Sequence, residues 1–245
     1  MPIRDELIQR AIQQLAASFA RLLSRNAEIA GGASQLEQRV LPAAEAEALR
    51  AQLDKLYSTF MGSSAQLVQR LSSDDIIRVL GSAGYVDGER AYLLSSLLET
   101  EAQLAIGLGA NEADDEVLEL RVRALDLMLE AGIAGLGEPD IAELVQRLQA
   151  QVAPELREPA TWERAVWFGF ETGDYAGAEN VLYDWLDVEQ AAGEDTARVA
   201  SVGAKLYGRL AALDNEALLK GDLPRDELEE GSQELTRRLG LPAAE

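Results

Sequence analysis

Histidine and cysteine are absent from this chain of 245 residues, and aromatic residues make up only 5% of it. Without His there is no Ser-His-Asp triad, no imidazole ligand for a metal ion and no side chain that ordinarily titrates near neutral pH. Without Cys there is no disulfide, no thiolate nucleophile and no zinc finger. We therefore expect a protein that is not an enzyme and that holds no metal ion or cofactor.

Long hydrophobic runs are also missing. The first residues carry charges at Arg4, Asp5, Glu6 and Arg10, and they lack the apolar core of a signal peptide. The longest stretch without a charge, residues 56–69, is too short and too polar to span a bilayer. We expect a soluble, cytoplasmic protein without membrane contact.

Basic residues are in short supply. The chain has 22 Lys and Arg against 43 Asp and Glu, and its net charge is −21. Residues 72–245 carry −22 of this charge, whereas residues 1–71 carry +1. Such a surface repels a phosphate backbone, so we expect no nucleic-acid ligand. The acidic surface either docks a basic partner protein or serves only to keep the protein in solution.

Apolar residues recur with helical spacing, and no segment alternates in the manner of a β-strand. The pattern predicts a first helix over residues 3–29 and a second helix after Pro42, joined by a Gly-Gly turn. One face of the first helix carries a stripe that resembles a short heptad seam. This stripe either forms a homodimer or packs against the chain's own body. It consists of Ile8, Ile12, Leu15, Phe19 and Leu22.

Glycine and proline breaks from residue 72 onward predict further helices, among them a short helix that Gly84 ends and a single long helix over residues 195–219. The predicted fold class is all-α, with about ten helices. Two domains are expected: an N-terminal helical hairpin over residues 1–71 and an acidic helical domain over residues 72–245.

The most specific local pattern is WERAVWFGFETGDYAGAENVLYDWLD, residues 162–187. Its Gly-Asp-Tyr triplet, with an Ala three residues later, has the spacing of the turn in a tetratricopeptide-type repeat. Gly suits a left-handed backbone in the turn, Asp caps the second helix, Tyr packs between the helices and Ala permits a close approach. We expect a tetratricopeptide-like, right-handed helical array. The residues with these structural roles are Trp162, Gly173, Asp174, Tyr175 and Ala178.

Three features occur in a fixed order along the chain: DELIQRAIQQLAASFARLL, the pair LLETEA and VRALDLMLEA, and GDYAGAENVLYDWLD. With these features in this order, the chain resembles DUF6483, a bacterial family. Its members are similar in size, and their C-terminal half is tetratricopeptide-like. The resemblance covers most of the chain. Because the family has no agreed activity, the resemblance implies a fold and no mechanism.

The few aromatic residues are clustered, and all three Trp lie within 24 residues. They either form the core between two helices or line a groove that takes a peptide or a helix from a partner. The candidates for partner binding are Trp167, Phe170, Tyr183 and Trp185.

An acidic run over residues 112–119 raises one metal hypothesis, because Mg²⁺ prefers carboxylate oxygens. The site needs a second carboxylate pair, either Glu99 with Glu101 or a group at Asp226, Glu229 and Glu230. A solvated helix N-terminus explains the same run without a metal ion.

These observations favour a non-enzymatic protein–protein interaction or scaffolding module of unknown pathway, whose acidic surface docks either a basic partner or a partner's helix or peptide. The alternative is a divalent-metal-dependent, all-α hydrolase of a phosphorylated small molecule. A purely structural oligomer without any other partner fits the same sequence.

Overall fold

The computed structural model describes residue 10 and residues 42–62, 64–82, 85–136 and 141–240. These residues form eleven α-helices, one short 3₁₀ helix and one pair of two-residue strands. The all-α class and the expectation of about ten helices are therefore confirmed. The five residues of the predicted dimer stripe lie outside the described residues, as does all but residue 10 of the helix predicted over residues 3–29.

The chain divides into two compact units. Unit 1 contains residues 1–136 and 140–152, and unit 2 contains residues 137–139 and 153–245. The domain boundary expected between residues 71 and 72 lies inside unit 1. The compact units thus do not follow the change in charge along the chain.

Unit 1 is built around a long pair of helices, α4 and α5, which have the most extensive contact in this unit. Helix α1 packs against α2 and α4, α3 packs against α4 and α5, and α6 packs against α5. The helices are α1 Ala43–Met61, α2 Ala65–Val68, α3 Ser73–Leu80, α4 Gly88–Gly107, α5 Asp115–Ile133 and α6 Ile141–Gln151, and the antiparallel strands are β1 Gly81–Ser82 and β2 Tyr85–Val86.

The two strands correct one detail of the sequence analysis, which extended the third helix to Gly84. The helix ends at Leu80, because Gly81 adopts an extended backbone with φ −79° and ψ 142°. Gly81 then lies opposite Val86 in the hairpin.

Leucine side chains account for the pairing of α4 with α5. Leu94, Leu97, Leu98 and Leu125 are completely buried, and each contributes about 1.5–3 kcal/mol by leaving water. The small Ser95 lets the helices approach, and its hydroxyl donates to the Ala124 carbonyl at 2.6 Å. The shared core holds the facing surfaces of the two helices in a defined register.

Unit 2 is built around α7 and α8, which form its most extensive helix pair. Helix α9 packs against α7, α8 and α11. The elements are a 3₁₀ helix at Pro154–Leu156, α7 Pro159–Thr172, α8 Tyr175–Ala192, α9 Ala197–Ala211, α10 Asn215–Lys220 and α11 Arg225–Arg238. The single helix expected over residues 195–219 is two helices, because Asp214 caps a new helix by accepting a hydrogen bond from the Ala217 N–H at 2.8 Å.

The turn between α7 and α8 contains the Gly-Asp-Tyr triplet. Gly173 has a left-handed backbone with φ 82°, and the Asp174 carboxylate accepts from the Gly177 N–H at 3.0 Å. Residues 162–187 therefore form a helix–turn–helix, whereas the tetratricopeptide-like array stays a prediction. Within the described part of the chain, no helix is both long and apolar enough to cross a membrane.

Candidate functional site

Three aromatic rings and one guanidinium group gather on unit 2. Trp167 and Phe170 come from α7, Tyr175 begins α8 and Arg209 comes from α9. The Trp167 and Phe170 rings meet edge to face with centroids 6.0 Å apart, and the Tyr175 centroid is 5.6 Å from that of Phe170. All three rings are half-buried. We name these four residues the aromatic–arginine cluster.

The guanidinium group of Arg209 connects the rings of this cluster. Its central carbon is 4.0 Å from the Phe170 centroid and 5.4 Å from the Trp167 centroid. Glu171 holds the same group in an ion pair at 3.0 Å, and the side chains of Arg209 and Glu171 are 50% and 37% exposed. Cation–π contacts of this kind contribute about 0.5–1 kcal/mol at exposed sites. The cluster therefore presents an orientated, partly solvent-facing surface.

The other predicted partner-binding residues lie elsewhere in unit 2. Trp185 is 0% exposed in the core, and its indole N–H donates to Glu189 at 2.7 Å. The half-buried Tyr183 donates its hydroxyl to the Gly231 carbonyl at 2.6 Å and so connects α8 to α11. Of the four predicted residues, Trp167 and Phe170 are in ring contact, and both pack against the core that contains Trp185. A fully buried Trp185 offers a partner nothing to contact, so we leave it out of the candidate surface.

Among the residues predicted for the repeat turn, Trp162 and Ala178 are core residues at 1% and 0% exposure. Tyr175 belongs both to the turn and to the aromatic–arginine cluster. The sequence analysis did not find Arg209, because it lies 42 residues after Trp167. Its only local signal is its position as the basic residue in the last turn of α9.

A second candidate site is a cleft in unit 1. Its volume is about 230 Å³, and its lining comes from α1, α2, α4, α5 and the residues that end α2 and α4. The polar lining includes Arg50, Asp54, Gln69, Glu101 and Glu116, and the apolar lining includes Leu53, Leu104, Ala105 and Leu120. Six of the twelve described residues that line it are polar, so the cleft is smaller and more polar than a typical drug-sized site.

Glu101 is the best-anchored polar group of the cleft. Its carboxylate accepts a hydrogen bond from the Tyr57 hydroxyl at 2.9 Å and another from the Gln69 amide. Burial raises the pKa of Glu101 above its ordinary value, and the charges of Asp54 and Glu116 act in the same direction, against the two hydrogen bonds. Burial and the charge of Glu101 also raise the pKa of Tyr57, so the phenol stays a proton donor.

Gln69 is itself held in place by α5. The Arg123 guanidinium donates one hydrogen bond to the backbone carbonyl of Gln69 at 2.5 Å. It donates another to the Glu119 carboxylate at 2.8 Å. The metal hypothesis had named Glu101 only as the partner of Glu99. The role of Glu101 in a contact with Tyr57 was missed, because these residues lie 44 positions apart in sequence.

The acidic run over residues 112–119 makes local contacts. A carboxylate oxygen of Glu112 lies 3.9 Å from a guanidinium nitrogen of the buried Arg121. The Glu119 carboxylate forms an ion pair with the Arg123 guanidinium, with 2.8 Å between nitrogen and oxygen. The Asp114 carboxylate accepts from the Asn111 N–H at 2.8 Å. Among the residues that the structure describes, no group of three or more Asp, Glu, His or Cys is arranged to hold a metal ion.

Comparison with known proteins identifies a family for this chain. Residues 3–240 match the sequence model of DUF6483, a family of unknown function. No curated protein and no solved structure matches the chain. The comparisons therefore identify a family and assign no activity.

Proposed function

The chain belongs to DUF6483, a family of unknown function, and we propose its function from its own surfaces. It is a non-enzymatic recognition module whose unit 2 binds a basic segment of a partner protein. The observation that carries this proposal is the aromatic–arginine cluster. A partner segment contacts the exposed faces of Trp167, Phe170 and Arg209.

The composition of the cluster supports this proposal. Trp, Tyr and Arg are the residues most enriched among those that dominate the binding energy of protein interfaces. Here they are held before any partner arrives, because Glu171 orientates Arg209 and the rings support one another. Side chains that are already ordered lose less conformational entropy on binding.

Charge indicates the chemistry of the partner. Residues 153–240 contain 19 acidic and nine basic side chains, a net charge of −10. Close to the cluster, Glu171 neutralises Arg209, and the exposed Asp174 follows in the turn. We expect a partner segment with Lys or Arg around one or two apolar side chains, and complementary charge makes its association sensitive to salt.

Three further parts of the proposal follow from the sequence. The module works in the cytoplasm, its α7–α8 pair belongs to a tetratricopeptide-like array, and the stripe of the first helix forms a homodimer. The Gly173 turn supports the second part. Sedimentation of the full chain and of an Ile12→Asp variant tests the third, and a wild-type monomer at micromolar concentration contradicts it.

The decisive experiment compares two arginines with the same exposure. Arg209 and Arg198 are each 50% exposed and each paired with a glutamate, but only Arg209 touches the aromatic rings. Proteins captured from a cell lysate at low salt are purified, and their affinity is measured for wild type, Arg209→Ala, Trp167→Ala and Arg198→Ala.

We expect Arg209→Ala and Trp167→Ala to weaken binding by about tenfold or more, since each removes a contact of about 1–2 kcal/mol or more. Arg198→Ala should bind as the wild type does. A folded Trp167→Ala variant with unchanged affinity contradicts the proposed surface, as does a lysate from which no protein binds in a salt-dependent way.

A further inference from the structure

The cleft of unit 1 has room for a ligand. Its volume of about 230 Å³ exceeds the roughly 150 Å³ of an apolar cavity that is known to accept benzene. Three apolar residues of the lining, Leu53, Leu104 and Leu120, are only 2–3% exposed. The half-buried Ala105 and Leu108 offer a ligand more apolar surface. The size and this lining together fit a small molecule with a compact apolar body.

The charged residues of the cleft determine whether it favours a positively or a negatively charged ligand. Among the described residues that line it, three are carboxylates, Asp54, Glu101 and Glu116, and one is basic, Arg50. The negative charges lie near enough to one another that Asp54 and Glu116 both raise the pKa of Glu101. A bound cation relieves this repulsion, whereas a bound anion adds to it.

Glu101 has the geometry of a receptor for such a cation. Tyr57 donates to one of its oxygens and Gln69 to the other, and a carboxylate has about four acceptor positions in all. About two positions therefore remain for donors from a ligand. Tyr57 is completely buried and Arg123 holds the Gln69 backbone, so the carboxylate is fixed before a ligand binds.

From these features we propose that the cleft binds a small organic ammonium ion, with its charged nitrogen on Glu101 and its apolar body against Ala105 and Leu108. An ammonium group supplies several N–H donors to the acceptor positions of the carboxylate. This assignment is independent of the recognition surface proposed for unit 2.

The test uses the full-length wild-type chain and three probes of similar shape. These are 2-phenylethylammonium, its neutral analogue 2-phenylethanol and the anionic 3-phenylpropionate, each titrated by calorimetry. We expect the ammonium ion to bind, and the alcohol and the carboxylate to bind at least about tenfold more weakly, a difference of about 1.4 kcal/mol. This comparison requires no variant.

Two variants locate the site, and a third serves as the control. Glu101→Gln removes the charge and retains the shape, and Ala105→Leu fills the cleft without changing a charge. Each should weaken binding of 2-phenylethylammonium by about tenfold or more. Glu89→Gln removes an exposed carboxylate from the first turn of the same helix and should have no effect.

Three results overturn the proposal. The first is that none of the probes binds at millimolar concentration. The second is equal binding of the ammonium ion and the alcohol, which means an apolar cavity without charge selection. The third is unchanged ammonium binding by folded Glu101→Gln and Ala105→Leu, which means that the probe binds elsewhere.

Discussion

Gly169 of α7 and Ala178 of α8 lie so close together that a Cβ atom at position 169 would be 2.9 Å from the Ala178 nitrogen and 3.0 Å from its Cα atom. Both obstructing atoms belong to the backbone and cannot rotate away. The α7–α8 pair therefore requires Gly169, and the pair in turn places Trp167 and Phe170 beside Tyr175.

The first prediction concerns this helix contact. Gly169→Ala should lower the free energy of unfolding by about 1–3 kcal/mol, because the added methyl group forces the helices apart. Urea unfolding followed by circular dichroism measures this change. Gly208→Ala is the matched control: Gly208 is an exposed helical glycine with nothing within 4 Å of an added Cβ atom, so alanine should stabilise by about 0.5–1 kcal/mol. Equal effects at the two positions would contradict the close approach.

The second prediction separates the two tryptophans that the sequence grouped together. Trp185→Ala removes a completely buried side chain and should cost about 3–5 kcal/mol of stability. Trp167→Ala removes a half-buried side chain and should cost less than half as much. The same urea titration compares them. If Trp167→Ala is as damaging as Trp185→Ala, Trp167 belongs to the core and is unsuited to partner binding.

The third prediction follows from the raised pKa of Glu101. A carboxyl group with a higher pKa in the folded state favours folding most when it is protonated, and this contribution is lost as the pH rises through the folded pKa. Glu101→Gln cannot ionise. The free energy of unfolding of Glu101→Gln, relative to that of wild type, should therefore increase from about pH 4 to about pH 7.

Urea unfolding of wild type and Glu101→Gln at several pH values measures that difference. A Glu101→Gln difference that is constant over the range would show that burial does not govern this carboxyl group.

The fourth prediction concerns divalent cations. Glu119 is paired with Arg123, and no group of three or more Asp or Glu among the described residues is arranged to hold a metal ion. We therefore expect about 1 mM Mg²⁺ or Mn²⁺ to shift the melting temperature by less than about 1 °C. Differential scanning calorimetry with and without metal measures the shift. A saturable rise of several degrees would support the metal-dependent hydrolase and contradict a recognition module without a metal ion.

Local features of the fold were predictable because short-range physics controls them. Only a residue tolerant of a positive φ suits the position of Gly173, and Asp174 caps the helix that begins one residue later. The helix break before Asn215 was missed, although Asp214 is a suitable cap, because the apolar spacing continues across the break. Elements were thus predicted more reliably than their ends.

The amino-acid sequence by itself determined the helical class, the turn after α7 and the excess of negative charge, since each depends on composition or on residues a few positions apart. Only the tertiary structure decided that Trp185 is buried while Trp167 faces Arg209, and that Glu101 accepts a hydrogen bond from Tyr57. Helical spacing assigns a residue to a face of its helix, but the packing of several helices decides what that face meets. Both proposed sites depend on such contacts between distant residues.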